Sequence, residues 1–244
     1  MSFPETLHHG TVVGRILRLP LRLIPHGMSV RVLRGPLRGA RWVVGAGTHG
    51  CWLGTYEQKK QRAFARAARG SAVTMDIGAN VGFYTLLAAI CGGVRCKVFS
   101  FEPLPRNLSL LREHLRLNGL SSVSVFALAV SDRSGTAHFD EGDGPFTGRL
   151  SPQGTHSVQT TSLDELSDAG VLPDPDLMKI DVEGAEYLVL QGARGLLRRA
   201  RPTVFVSTHS QVLDGECVRL LESLGYLIER LAADELLAKP AIES

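Results

Sequence analysis

The chain has 244 residues, 44% of them hydrophobic, which is enough for one sizeable α/β core and calls for no second one. No segment reaches the length of about 18 apolar residues that a membrane span needs, the start lacks a basic-then-apolar leader, and Cys51, Cys91, Cys96 and Cys217 show no CxxC spacing. A span, a secretory signal and a disulfide framework are therefore not expected, and a cytoplasmic protein with reduced thiols is.

The net charge of +3 hides an asymmetry: residues 1–70 hold 12 Lys and Arg against Glu5 and Glu57, and the remainder holds 15 against 22 acids. Within the basic segment, Arg15 to Pro25 alternates basic and apolar residues, while Pro20 and Pro25 limit any helix to about two turns. It reads first as a solvated face packed on the core. Peripheral contact with an anionic membrane, or with an acidic substrate or nucleic acid, stays open beside that reading.

Ser29 to Leu33 and Ala40 to Val44 are short β-like runs about a Gly35-Pro36 turn and predict a hairpin. Gly45 to Gly54 reads as a glycine-rich loop, and Thr55 to Arg69 as a helix. Next comes the most informative stretch. Val73 to Ile77 is a strand carrying Asp76, followed by the turn Gly78-Ala79-Asn80-Val81-Gly82 and a helix beginning near Phe83 and Tyr84. Such a turn lies at the carboxyl edge of a parallel sheet, where open α/β folds bind ligands, and its two glycines are expected to let backbone approach one.

The dinucleotide fingerprint has three glycines, and this turn has only two. A carboxylate at Asp76 also opposes phosphate and suits an ammonium or sulfonium centre; S-adenosylmethionine carries both. The following strand, Lys97 to Phe101, leads to Glu102, which stands 20 positions after Gly82, at the spacing of a ribose-binding carboxylate.

Pro105 to Leu117 places Leu108, Leu111 and Leu115 on one helical face and ends at Asn118-Gly119. Val123 to Val130 reads as one strand, with Ser131-Asp132 at its end. From Ser134 to Ser162 glycines and prolines interrupt the pattern; Thr136 to Phe139 and Ser157 to Thr161 are expected to pair across this stretch, which is suited to shaping substrate entry. Leu177 to Ile180 delivers Asp181 to the same edge as Asp76 and Glu102. A helix over Ala185 to Arg199 comes after it, and at least one of Asp181, Glu183 and Glu186 is expected to stabilise its positive end. Pro202 to His209 is an apolar strand with His209 at its end. His209 is the leading candidate for the base that takes a hydroxyl proton, and Asp181 is the second.

Asp76 to Thr85, Phe101 to Asn107, Ala129 to Asp132 and Leu177 to Glu186 together resemble the FkbM family of methyltransferases, in family order from about Tyr56 to Leu231. The block ending Asp181-Val182-Glu183-Gly184-Ala185-Glu186 is the specific part. The resemblance implies a Rossmann-like α/β fold, a mostly parallel doubly wound sheet with helices on both faces, and methyl transfer from S-adenosylmethionine to a hydroxyl. It implies a small-molecule acceptor, with sugar, glycolipid and polyketide open. The implied cofactor contacts beyond Asp76, Gly78, Asn80, Gly82 and Glu102 are Phe83, Tyr84, Pro103, Asn107, Ser131, Asp181 and Asp132, the last beside the adenine. Tyr56-Glu57 matches a pair that the family carries ahead of its core, which suggests a lid. The family pattern has a glutamate where Ser207 stands here.

The expected division is then a basic extension over 1–70, with hairpin and lid helix, and a cofactor-binding domain over 71–244. Asp181, Glu183 and His209 are the residues that a divalent cation would use, although no loop carries an oxygen cage and a required metal is not expected. A nucleic-acid methyltransferase is disfavoured by an aromatic content of 6%. A nicotinamide oxidoreductase lacks its glycine loop, and a non-catalytic binding protein remains an alternative.

Overall fold

The computed structural model describes residues 24–140, 149–150, 154 and 156–241. Residues 15–23 of the basic run, and 141–148 with 151–153 of the irregular stretch, lie outside the described residues, and with them the expectations of membrane contact and substrate entry. Among the described residues, no helix is long and apolar enough to cross a membrane.

The hairpin forms, as β1 (Ser29–Arg31) against β2 (Arg41–Val43). The glycine-rich loop after it contains a short helix, α1 (His49–Leu53), because Cys51 and Trp52 are buried and pull one turn onto the core. Helix α2 (Gln58–Ala68) is next, then β3 (Val73–Ile77), α3 (Phe83–Gly92), β4 (Lys97–Phe101), α4 (Pro105–Leu117) and β5 (Val123–Phe126).

The expected strand over Val123 to Val130 is two strands. β5 stays in the main sheet, whereas β6 (Ala129–Val130) turns away to pair in parallel with β9 (His156–Thr161). β9 pairs antiparallel with β7 (Gly135–Asp140), as the sequence suggests, and β7 pairs with β8 (Arg149–Leu150), completing a small sheet beside the main one.

After α5 (Leu163–Asp168) and β10 (Leu177–Ile180), the expected single helix is α6 (Glu186–Gln191) and α7 (Arg194–Ala200). The break falls at Gly192, where a Cβ would lie 2.2 Å from the carbonyl oxygen of Ser131; the helix interrupts itself to admit the end of β6. β11 (Thr203–Ser207), α8 (Gln211–Ser223), β12 (Tyr226–Ala232) and β13 (Glu235–Pro240) complete the chain.

The main sheet has the order β12-β13-β11-β10-β3-β4-β5. Its five strands from β11 to β5 run parallel, and β13 and β12 close one edge antiparallel. The chain proceeds from β3 outward to β5 and then returns to β10 on the other side of β3. This switch point is where an α/β sheet opens a crevice. Period-two alternation sorts β3 between two cores: Met75 and Ile77 pack with Val189, Leu197 and Val204 beneath α6–α8, and Thr74 and Asp76 turn toward α3.

The other core contains Val32, Leu37 and Trp42 of the hairpin region and Phe64 of α2, together with Leu86, Leu87, Leu111 and Phe205. Residues 24–70 therefore share a core with the parallel sheet and its helices, and no break in packing falls at residue 70. His114 fastens this joint. It is fully buried, stacked on Trp42 with ring centroids 4.0 Å apart, and its Nε2 accepts from Val43 N at 3.0 Å. Nδ1 must then carry the hydrogen, which it donates to the Val81 carbonyl at 2.7 Å.

Burial pushes the His114 pKa down to about 4, against the opposing bond to Val81. The unfolded chain takes up this proton first, so the stabilisation is complete above the unfolded value of 6.5 and is lost as pH falls toward 4. The expected loss is about 3 kcal/mol. Urea unfolding at pH 7 and pH 4.5 should show this increment in the parent chain, and a His114→Gln variant should lack it; equal acid slopes in both would refute the assignment.

Candidate active site

The crevice at the switch point is floored by the β3–α3 turn. Every amide of that turn is used inside the protein. Gly78 N and Ala79 N donate to the Phe101 carbonyl, Asn80 N to Glu102 Oε2, Val81 N to Asn80 Oδ1 and Gly82 N to the Ala79 carbonyl. A pyrophosphate needs such N–H groups free, so this turn is not a phosphate cradle.

Each glycine makes room for protein atoms. A Cβ on Gly78 would lie 1.9 Å from the Asp181 carbonyl oxygen, and one on Gly82 would lie 2.4 Å from Leu111 Cδ1. Protein rather than ligand fills the space beside each. Both have positive φ, 75° and 92°, and both permit close packing of the turn, against β10 and α4 respectively.

Glu102 is buried at the end of β4. Its Oε2 receives Asn80 N, and its Oε1 receives Leu104 N at 2.9 Å and Asn107 Nδ2 at 3.2 Å. Burial raises its pKa despite these three donors. The amide oxygen of Asn107, also buried, has no hydrogen-bond partner. Tyr56, Gly78, Asn80, Phe83 and Tyr84 line the crevice, as do Glu102, Pro103, Asn107 and Asp181. An apolar wall is added by Phe101, Leu104, Val182 and residues 128–130, the last turned inward because β6 leaves the main sheet.

Five of the residues expected to touch the cofactor do not line this crevice. Asp76 is fully buried; its Oδ2 accepts from Thr85 Oγ1 at 2.6 Å, and its Oδ1 faces Lys179 Nζ at 3.5 Å. A protein ammonium thus meets the charge expected to meet a ligand. Gly82 faces α4. Glu57 caps no helix amide. It accepts from the Tyr84 hydroxyl at 2.7 Å and lies 3.4 Å from Lys60 Nζ. Ser131 and Asp132 fall just past the wall, where the Ser131 hydroxyl donates to Asp132 and Ser131 O abuts Gly192.

Two lysines to which the sequence pattern assigns no role hold the floor together. Lys179, paired in register with Asp76, donates to the Gly78 carbonyl at 2.9 Å and stands 3.5 Å from Asp181. Burial works against its charge, but Asp181, Asp76 and Glu57 outweigh burial and raise its pKa. Lys60 lies 3.7 Å from Asp181 and 2.8 Å from Glu235, and it donates to Ser207. Burial is again outweighed, here by Asp181, Glu57 and Glu235, and the Lys60 pKa is raised. Ser207 and Glu235 are register partners on β11 and β13, and burial pushes Glu235 up to about 7. For Asp181, burial is overcome by Lys179 and Lys60, and its pKa is lowered.

His209 reaches the same edge as Asp181 because β10 and β11 are parallel neighbours. Its Nδ1 is 2.8 Å from Glu186 Oε1, and its Nε2 is 3.2 Å from Glu183 and 3.7 Å from Asp181. The bond to Glu186 raises the His209 pKa to about 9. Glu186 also turns back to accept from Val182 N and Gly184 N, so this acid ties down the amides before α6, and the other two do not.

Residues 76–228 match the methyltransferase FkbM domain. Among curated proteins, the chain is 32% identical to the hexuronic acid methyltransferase AglP of Haloferax volcanii over 73% of this chain and 74% of that one. It is 27% identical to the 2-O-methyltransferase NoeI of Sinorhizobium fredii over 68% and 74%. A crystal structure of methyltransferase FkbM from Methylobacillus flagellatus KT superposes with a TM-score of 0.54 at 19% identity, over 69% of this chain and 43% of that one, and shows the shared fold. The chain spans less than half the length of that solved protein. With a matched region that runs from Asp76 of the floor past His209 to β12, the chain belongs to the FkbM family of methyltransferases.

Proposed function

We propose that the chain transfers a methyl group from S-adenosylmethionine to a hydroxyl of a sugar-type acceptor in a cytosolic setting. The observation that carries the cofactor assignment is the pairing of a turn with no amide left for phosphate and a buried carboxylate, Glu102, at ribose spacing. Glu102 and the unpartnered Asn107 oxygen would hold the ribose hydroxyls, and Phe101, Leu104 and Val182 would flank the adenine. When bound, the cofactor supplies a methyl on a sulfonium with a neutral leaving group. The protein's part is alignment and exclusion of water, for which Tyr56, Phe83 and Tyr84 provide an aromatic wall.

Support for the acceptor class comes from the relatives, one named for hexuronic acid and one for 2-O-methylation. Asp181 lines the crevice where an acceptor hydroxyl would shed its proton, and His209 stands behind it, 3.7 Å from Asp181 Oδ1. Calorimetric titration with S-adenosylhomocysteine, with NAD as control, tests the cofactor; mass-spectrometric screening of hexoses and hexuronic acids for a gained methyl group tests the acceptor. Asp181→Asn and His209→Ala should each lower kcat about 10²–10⁴-fold while S-adenosylhomocysteine affinity changes only a few-fold. Unchanged kcat in both would remove this edge from the chemistry.

A further inference from the structure

We propose that Asp181, Glu183 and His209 form a binding site for one divalent cation of the Mn²⁺ type. One donor atom from each lies within 4.8 Å of the others, with His209 Nε2 at 3.2 Å from Glu183 Oε2 and 3.7 Å from Asp181 Oδ1. Ligand atoms about 2.1 Å from a shared ion sit roughly 3 Å apart when adjacent and about 4 Å apart when opposite. The two distances from His209 Nε2 fall within that range. Two carboxylates and one imidazole form a mixed oxygen and nitrogen set of the kind that Mn²⁺ accepts.

The histidine supplies an independent observation. Its Nδ1 donates to Glu186 Oε1 at 2.8 Å, and Glu186 is fully buried and held by the Val182 and Gly184 amides. That bond fixes the ring so that Nε2 is directed at two carboxylates. In the metal-free protein an Nε2–H meets these two carboxylates, and a bound cation would take the place of that proton. A buried carboxylate behind a metal-bound histidine is also the usual means of fixing the ring and raising its basicity. Val182 N and Gly184 N share Glu186 Oε1 with the histidine, and the second oxygen of Glu186 has no hydrogen-bond partner.

Placement gives the cation a use. Asp181 and Glu183 line the crevice, so a cation that they hold would border it. A hydroxyl held there would be acidified and oriented. This use rests on the methyl-transfer reading; the presence of the ion does not.

The 244-residue chain would be titrated with MnCl₂, with free Mn²⁺ followed by electron paramagnetic resonance and S-adenosylhomocysteine binding measured on the same samples. One Mn²⁺ per chain is expected, displaced by Mg²⁺ and lost in Glu183→Gln and His209→Gln. Glu186→Gln, a positioning change, should weaken the site about 10–100-fold, with Mn²⁺ still bound at higher concentration. Circular dichroism would establish that each variant is folded. No Mn²⁺ uptake by the folded parent chain would overturn the proposal and leave a protonated His209 as the positive centre. Uptake undiminished in both ligand variants would overturn it equally. Because S-adenosylhomocysteine binding is read separately, loss of the ion site and loss of the cofactor assignment give different results.

Discussion

Glu102→Ala is expected to reduce S-adenosylhomocysteine affinity by at least about 100-fold, to the edge of calorimetric detection, while the chain still folds. Hydrogen bonds to a charged group are worth about 1.5–3 kcal/mol each, and two ribose hydroxyls on one carboxylate would supply that alone. The change also removes the common acceptor of Asn80 N, Leu104 N and Asn107 Nδ2, so the turn, the start of α4 and the Asn107 side chain all lose their fixed positions. Glu102→Gln should fall between the two, since its amide keeps one acceptor oxygen but turns an NH₂ toward groups that are already donors. The comparison is informative because a merely structural Glu102 would predict loss of thermal stability with affinity intact among the molecules that remain folded. Affinity unaltered in Glu102→Ala would remove the carboxylate from the cofactor site.

Glu102 was legible because it depends on sequence order alone: a glycine turn, a helix, a strand and an acid at its end. The same holds for the β3–α3 turn, for the hairpin at Ser29–Val43 and for the pairing of β7 with β9. What depended on tertiary register was not legible. Lys179 sits inside Leu177–Ile180, where every position is buried, and a lysine buried on both sides of a sheet requires a carboxylate across the register. That was the available signal, and it pointed to Asp76, which the turn motif alone assigns to the ligand. Lys60 and Glu235 are 175 residues apart and meet because β13 pairs antiparallel with Ser207. β12 and β13 mix Glu229, Arg230 and Lys239 with apolar residues at the sheet edge, a pattern that does not declare a strand until its partner is known.

The site is consequently an interlocked charge system. Asp181 touches Lys179, Lys60 and His209, and each of these touches a further acid. Removing one member leaves another buried and unpaired, so single substitutions are expected to be costly even where they make no contact with a ligand. Ser207, where the family pattern has a glutamate, lies 3.2 Å from Glu235, and a carboxylate therefore reaches this point from the neighbouring strand.

Gly78→Ala should be the most damaging of the conservative changes, with a loss above about 4 kcal/mol or no folded protein. Its φ of 75° already costs an L-residue about 1–2 kcal/mol. The larger penalty is steric: the new Cβ would stand 1.9 Å from the Asp181 oxygen and 2.8 Å from the Asp181 carbonyl carbon, both of them backbone. Relief requires the ends of β3 and β10 to part. The bonds that join them there, Asp181 N to the Ile77 carbonyl and Lys179 Nζ to the Gly78 carbonyl, would part with them. Gly82→Ala is the contrasting case. Its φ of 92° is equally unsuited to alanine, but its Cβ would meet Leu111 Cδ1, the far end of a side chain that can rotate. A loss of about 2 kcal/mol is expected there. Urea unfolding of the two variants side by side decides the matter. Equal losses would mean that the left-handed backbone dominates; the expected inequality would mean that Gly78 exists to bring two strand ends into contact, which is the condition for Lys179, Asp181 and the floor of the crevice to meet at all.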